Sequence, residues 1–168
     1  MITIPLTLGI DLGYLTLKIY TSYFYKIRFF KPNQIPISTA LGDPKWFHAN
    51  MGNDFKFIDK NGVINGLRAE WLKPGESCHN LCHGREGCPN VPESCAFLSA
   101  YKEQLESMPI DESVHRLEEL GSYLKSIMGF EGEPEIVLMV HEAPTNKCSE
   151  RSVLQDYFKC VELERKEK

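Results

Sequence analysis

No stretch of this 168-residue chain approaches the roughly 20 consecutive apolar residues that a membrane span requires. The opening segment, MITIPLTLGIDLG, lacks the basic residues that lead a secretory signal, and Asp11 interrupts its apolar stretch. The expectation is therefore a cytoplasmic protein with no membrane partner. Positive charge is also scarce. Lys and Arg number 19 against 23 Asp and Glu, a formal net charge of −4, which argues against a dedicated duplex-DNA binder but not against a local basic patch. No internal repeat is visible, and the length fits one domain. At 42% hydrophobic the chain can build a core without covalent staples. The six cysteines, in a reducing compartment, then read as thiols or ligands before disulfides.

What the chain does have is a strong segment at Glu135–Phe158. Ile136 to Val140 form a short apolar run rich in β-branched residues, suited to a strand buried on both faces. The loop HEAPTNK follows, and a helical pattern starts near Cys148–Ser149. Ser149 suits the N-cap, Glu150 the first turn, and Val153, Leu154, Tyr157 and Phe158 an apolar face. In open α/β sheets ligands gather at the carboxyl ends of strands, and helix N-termini accept anions. That corner gathers His141, Glu142, Cys148, Ser149, Glu150 and Arg151.

Upstream, Leu15–Tyr20 reads as a strand ending in a polar turn at Thr21-Ser22. Tyr23–Phe30 is aromatic with interleaved Lys26 and Arg28, followed by Lys31: a half-buried connection or a surface for stacking bases. Ile35–Ala40 is a second strand, closed by Gly42, Asp43 and Pro44. Trp46 and Phe47 follow a strand end, as core rings or as a pocket wall. Helical periods cover Ala96–Met108 and a stretch from Asp111 or Ser113 to Gly129. The fold class is α/β, a single domain with a mainly parallel sheet flanked by helices. Residues 1–16 form an N-terminal extension, 17–163 the domain, and 164–168 a charged tail.

Residues 76–95 form an insert dense in Cys, His, Gly, Pro and Asn. Cys78, Cys82, Cys88 and Cys95 are spaced C-x3-C-x5-C-x6-C, with His79 and His83 among them. Four soft ligands in one loop suit zinc or an iron–sulfur cluster, which would order a segment without a core. The paired C-x2-C knuckles of common zinc modules are missing, so free thiols and disulfides remain open. Four thiolates would close a metal's coordination and imply a structural site.

At the strand-end corner, Cys148 lies beside Lys147 near a helix start and is a candidate nucleophile. His141 would serve as base, with Glu142 orienting it or acting alone. Arg151 suits phosphate or carboxylate in bidentate fashion. The alternative is ordinary structure: Cys148 packs, Ser149 caps, and Glu150 and Arg151 form a surface pair.

The chain resembles family 488 of the domains of unknown function. The matching residues are Ile19-Tyr20-Thr21-Ser22-Tyr23-Phe24, Pro36-Ile37-Ser38, Gly42-Asp43-Pro44-Lys45-Trp46 and Leu72-Lys73-Pro74, then a hydrophobic strand running into a helix start. The resemblance spans about residues 17–163. It implies an α/β fold with a ligand or active site near these motifs, and no particular activity. Two departures stand out. Where the family has Cys-Tyr-Glu, this chain has Val140-His141-Glu142. Aligned on Arg151, the family's Cys-His falls on Ser149-Glu150, with Cys148 one residue earlier.

The leading expectation is a small-ligand site at the carboxyl edge of the sheet. Thr21, Ser22, Gly42, Trp46, Glu142, Ser149 and Arg151 would surround an anionic, nucleotide-like molecule, which is sequestered, sensed or hydrolysed. One alternative is a protein bearing zinc or an iron–sulfur cluster that acts on nucleic acid, the less favoured partner. Another is a non-catalytic interaction module that uses the insert as its surface.

Overall fold

A computed structural model describes residues 2–3, 17–48, 58–79, 81 and 91–164. Its centre is strand β5, Glu135–Val140, in which the last five residues are buried. On one side β5 pairs in parallel with β2, Lys18–Tyr23, matching Ile19 to Ile136 and Tyr23 to Val140. On the other it pairs in parallel with β3, Gln34–Ser38, matching Ile37 to Leu138. β4, Leu67–Arg68, extends the sheet beyond β3, and β6, Val161–Glu162, lies parallel to the far edge of β2. Five strands thus run parallel in the order β6-β2-β5-β3-β4, and β1, Ile2–Thr3, adds an antiparallel pair to the start of β2. A strand covered on both faces needs no alternating pattern, which is why Ile136–Val140 reads as a continuous apolar run.

Helices pack on one face. α2, Ala96–Glu106, contributes Phe97, Tyr101 and Leu105 to a core shared with Ile19, Ile35, Ile37, Ile136 and Leu138. α3, Ile110–Met128, adds Val114, Leu117 and Leu124, and ends at Gly129, whose φ of 66° is the left-handed conformation that glycine adopts at low cost. α4, Arg151–Phe158, adds Val153, Leu154 and Phe158. Each fully buried Leu, Ile or Phe contributes about 1.5–3 kcal/mol by leaving water. The short helix α1, Glu76–His79, packs on α2. The opposite face carries a second core of Phe24, Ile27, Phe30, Ala40, Phe47, Val63, Val137 and Met139. It is covered by two 3₁₀ turns, Phe24–Phe29 and Lys45–His48, and by the segment 58–66.

Several boundaries differ from the sequence reading. β2 runs through Thr21 and Ser22 to Tyr23, so these hydroxyls sit in a strand and not in a turn. Pairing with β5 extends the strand, because six consecutive partners satisfy its backbone. α4 starts at Arg151, three residues past Cys148, although Ser149 Oγ still accepts the Arg151 backbone N–H at 3.2 Å. α3 starts at Ile110, with Asp111 and Glu112 in its first turn, where acids oppose the helix dipole favourably. Among the described residues no helix is long and apolar enough to cross a membrane.

Candidate functional site

Parallel strands bring the carboxyl ends of β2, β5, β3 and β4 to one edge. The connections after β2 and β3 turn onto the face of the second core, while those after β4 and β5 turn onto the helical face. Adjacent connections that part in this way open a crevice at the strand ends.

At the β2–β5–β6 corner, Arg151 is the centre. It is 6% exposed, and its Nε donates to Glu162 Oε2 at 2.8 Å. Its Nη2 donates to the backbone carbonyl of Glu142, and Nη1 is buried with no hydrogen-bond partner among the described residues. Its guanidinium carbon also lies 5.8 Å from the Tyr23 ring centroid. Thr21 Oγ1 donates to Glu162 Oε2 at 2.8 Å and accepts from Gln155 Nε2 at 2.8 Å. Burial pushes the Glu162 carboxyl above the ordinary range, against the opposing pull of Arg151 and Thr21. Ser149 Oγ donates to Glu142 Oε2 at 3.2 Å. Glu142, Ser149, Arg151 and Thr21 therefore do gather, but around a carboxylate from β6 that the sequence reading left out. Through Nε and Nη2 the guanidinium ties the ends of β5 and β6 together, a structural role that the expectation of an anion fork did not include. Glu150 and Arg151 are both buried, which also corrects the surface-pair alternative.

At the β3–β4 corner, Asp43 is the centre, with 2% of its side chain exposed. Ser38, His48 and Arg68 all hydrogen-bond to its carboxylate. Arg68 also reaches Glu70 at 2.7 Å and the Ala40 carbonyl at 2.8 Å. Burial works against ionisation of Asp43, but the hydrogen bonds from Arg68, Ser38 and His48 outweigh it and hold the carboxyl below its usual range. Arg68 responds in kind: burial opposes its charge, and Asp43 and Glu70 more than restore it. The register that sets Arg68 beside Ser38 is what aims both at Asp43. His48 lies only five residues from Asp43 in the chain. The contribution of Arg68 was not visible in the sequence, since it comes from another strand.

Between the two 3₁₀ turns lies a cavity of about 800 Å³, lined among the described residues by rings of Phe24, Tyr25, Trp46 and Phe47 and by the polar groups of Arg28, Asp59, Lys60, Asn61 and Asn65. Asp59 organises the far wall, accepting the backbone N–H of Asn61 at 2.8 Å and of Val63 at 3.1 Å. Asn61 Nδ2 donates to the Arg28 carbonyl at 2.9 Å and ties that wall to the first turn. Gly62, at φ 80°, closes the bend against Pro32, where a side chain would be strained. Asn65 is buried, and its Oδ1 has no hydrogen-bond partner among the described residues. Trp46, expected either as core or as a pocket wall, is a wall residue, whereas Phe47 is both.

The remaining expected residues lie as follows. His141 is exposed, contacts the Gly42 carbonyl through Nε2, and sets its ring 5.1 Å from that of Phe24, a cavity residue. Ser22 is buried within β2, on the face opposite Thr21, with no partner for its hydroxyl among the described residues. Cys148 is buried, and its backbone N–H donates to Asn146 Oδ1 at 3.0 Å. Of the proposed metal ligands, Cys78 is buried with its thiol 3.5 Å from Gln104 Oε1, and Cys95 precedes α2. Cys82, His83, Cys88 and the side chain of His79 lie outside the described residues. Among the described residues no group of three or more His, Cys, Asp or Glu is arranged to hold a metal ion.

No family model matches this chain, and neither a curated protein nor a solved structure does.

Proposed function

We propose that this protein binds a small anionic, nucleotide-like ligand in the cavity beside the carboxyl edge of its sheet, either to hold it or to hydrolyse it. The observation that carries this reading is the lining of the cavity: four aromatic rings, the amides of Asn61 and Asn65, the cations Arg28 and Lys60, and Asp59, which is engaged by backbone amides. A planar base buries its faces against rings such as Trp46 and Tyr25. The two cations suit phosphate. Two motifs that carry the resemblance to family 488 support the same place, since Pro36–Ser38 and Gly42–Trp46 lie at or next to the end of β3. For hydrolysis, His141 is the candidate general base, on the cavity side through its contact with Phe24, whereas Glu142 is held at the neighbouring corner by Ser149.

The chain has two tryptophans, Trp46 and Trp71. In a W71F variant, Trp46 alone reports fluorescence, and AMP or ADP-ribose should quench it saturably. W46A should weaken binding at least about tenfold, the loss of one stacked base. If no nucleotide quenches Trp46 or raises the melting temperature, the reading fails. Recovery of the ligand intact after long incubation identifies holding, and its cleavage, abolished by H141Q, identifies hydrolysis.

A further inference from the structure

The turn that forms one cavity wall continues past the lining residues Tyr25 and Arg28 to Lys26, Phe29 and Lys31, which lie outside the cavity lining and which a mononucleotide would leave unused. Tyr25 is 53% exposed, Phe29 38% and Trp46 52%. Tyr23 and Tyr25 stack at 6.4 Å with an interplanar angle of 14°, and Tyr25 meets Phe29 edge-on at 6.4 Å. Cations lie among them. The Arg28 guanidinium carbon is 3.7 Å from the Tyr25 centroid, and Lys26 Nζ is 5.7 Å from that of Phe29 and 5.9 Å from that of Tyr23. Lys31 follows, exposed. Two acids near this turn are already engaged, Asp59 by backbone amides and Glu162 by Arg151 and Thr21.

We infer that the partner is a single-stranded nucleic acid, with one base in the cavity and the neighbouring nucleotides laid along Tyr25–Lys31. This rests on the reading of the cavity as a nucleotide pocket and extends it. Exposed rings take base faces, which a duplex hides, and Lys26 and Lys31 take the phosphates of the neighbouring nucleotides. A net charge of −4 fits a narrow cationic strip better than a broad duplex-binding surface.

The test is fluorescence anisotropy with a labelled oligoadenylate of about eight nucleotides, within the footprint of a small single-strand-binding domain, and AMP as competitor. The oligonucleotide should bind at least about tenfold more tightly than AMP, the gain from one further stacked base. K26A/K31A, which leaves the cavity lining intact, should lower oligonucleotide affinity and reduce the log–log salt slope by roughly 1.4, two phosphate contacts on a single strand. F29A should lower affinity without changing that slope. If AMP binds as tightly as the oligonucleotide, or if neither variant weakens the oligonucleotide, the inference is overturned and the pocket reading stands. Failure of both ligands to bind overturns the two together. Displacement by polyglutamate as readily as by unlabelled oligoadenylate also overturns it, since charge alone would then suffice.

Discussion

Replacing Arg151 by Met distinguishes a buried clamp from an anion receptor. The variant removes the 2.8 Å charge-assisted bond to Glu162 and the bond to the Glu142 carbonyl, and leaves Glu162 with only Thr21 among these donors. Breaking a buried ion pair by removing one partner costs about 3–5 kcal/mol. Here 26% of the Glu162 side chain reaches solvent, which brings the penalty down to about 2–3 kcal/mol. Met also removes the unpartnered Nη1, which returns about 1 kcal/mol. The expected net loss is about 1–2 kcal/mol, or about 0.5–1 M in the urea midpoint for a slope near 2 kcal/mol/M. The double variant R151M/E162M should recover most of that loss, because no uncompensated charge is left. Urea unfolding at neutral pH, followed by far-UV circular dichroism, measures all three proteins. An R151M midpoint within about 0.2 M of wild type would refute the clamp, as would a double variant that loses the sum of the single losses. If R151M is stable yet no longer binds nucleotide, Arg151 is the anion receptor after all.

Two carboxylates should shape the pH dependence in opposite senses. Asp43 is held below its ordinary value of 3.8, so its stabilisation is complete above that value and is lost as pH falls through the folded pKa; D43N should flatten the acid limb of the urea midpoint plotted against pH. Glu162 is raised above its ordinary value of 4.5, so its contribution is complete below that value and is lost as pH rises through the folded pKa; E162Q should flatten the profile just above 4.5. Cys160 is buried, and burial pushes its thiol up to about 12, so iodoacetamide at mildly alkaline pH should leave its peptide unlabelled in the native protein and label it in urea, as read by mass spectrometry.

The central strand and the amphipathic helices were legible in the sequence because their signals are local. An apolar run of five residues and a 3.6-residue period each reflect burial of a single segment. The gathering of Glu142, Ser149 and Thr21 was also foreseeable, since parallel strands put their carboxyl ends at one edge. What Arg151 does there was not. Its partner Glu162 arrives on a two-residue strand whose existence depends on pairing with β2, and no local pattern announces it. Asp43 is a similar case. Its neighbours Ser38 and His48 are close in the chain, but Arg68 reaches it only because β4 aligns beside β3. The cavity depends on two 3₁₀ turns and an Asn-rich bend meeting over one face of the sheet, with Asn61 bonded to Arg28 across 33 residues. Composition and periodicity determined which residues leave water. Only the crossing of separate strands and turns decided which polar groups meet, because a charge or an amide becomes a site through neighbours that the chain supplies from elsewhere.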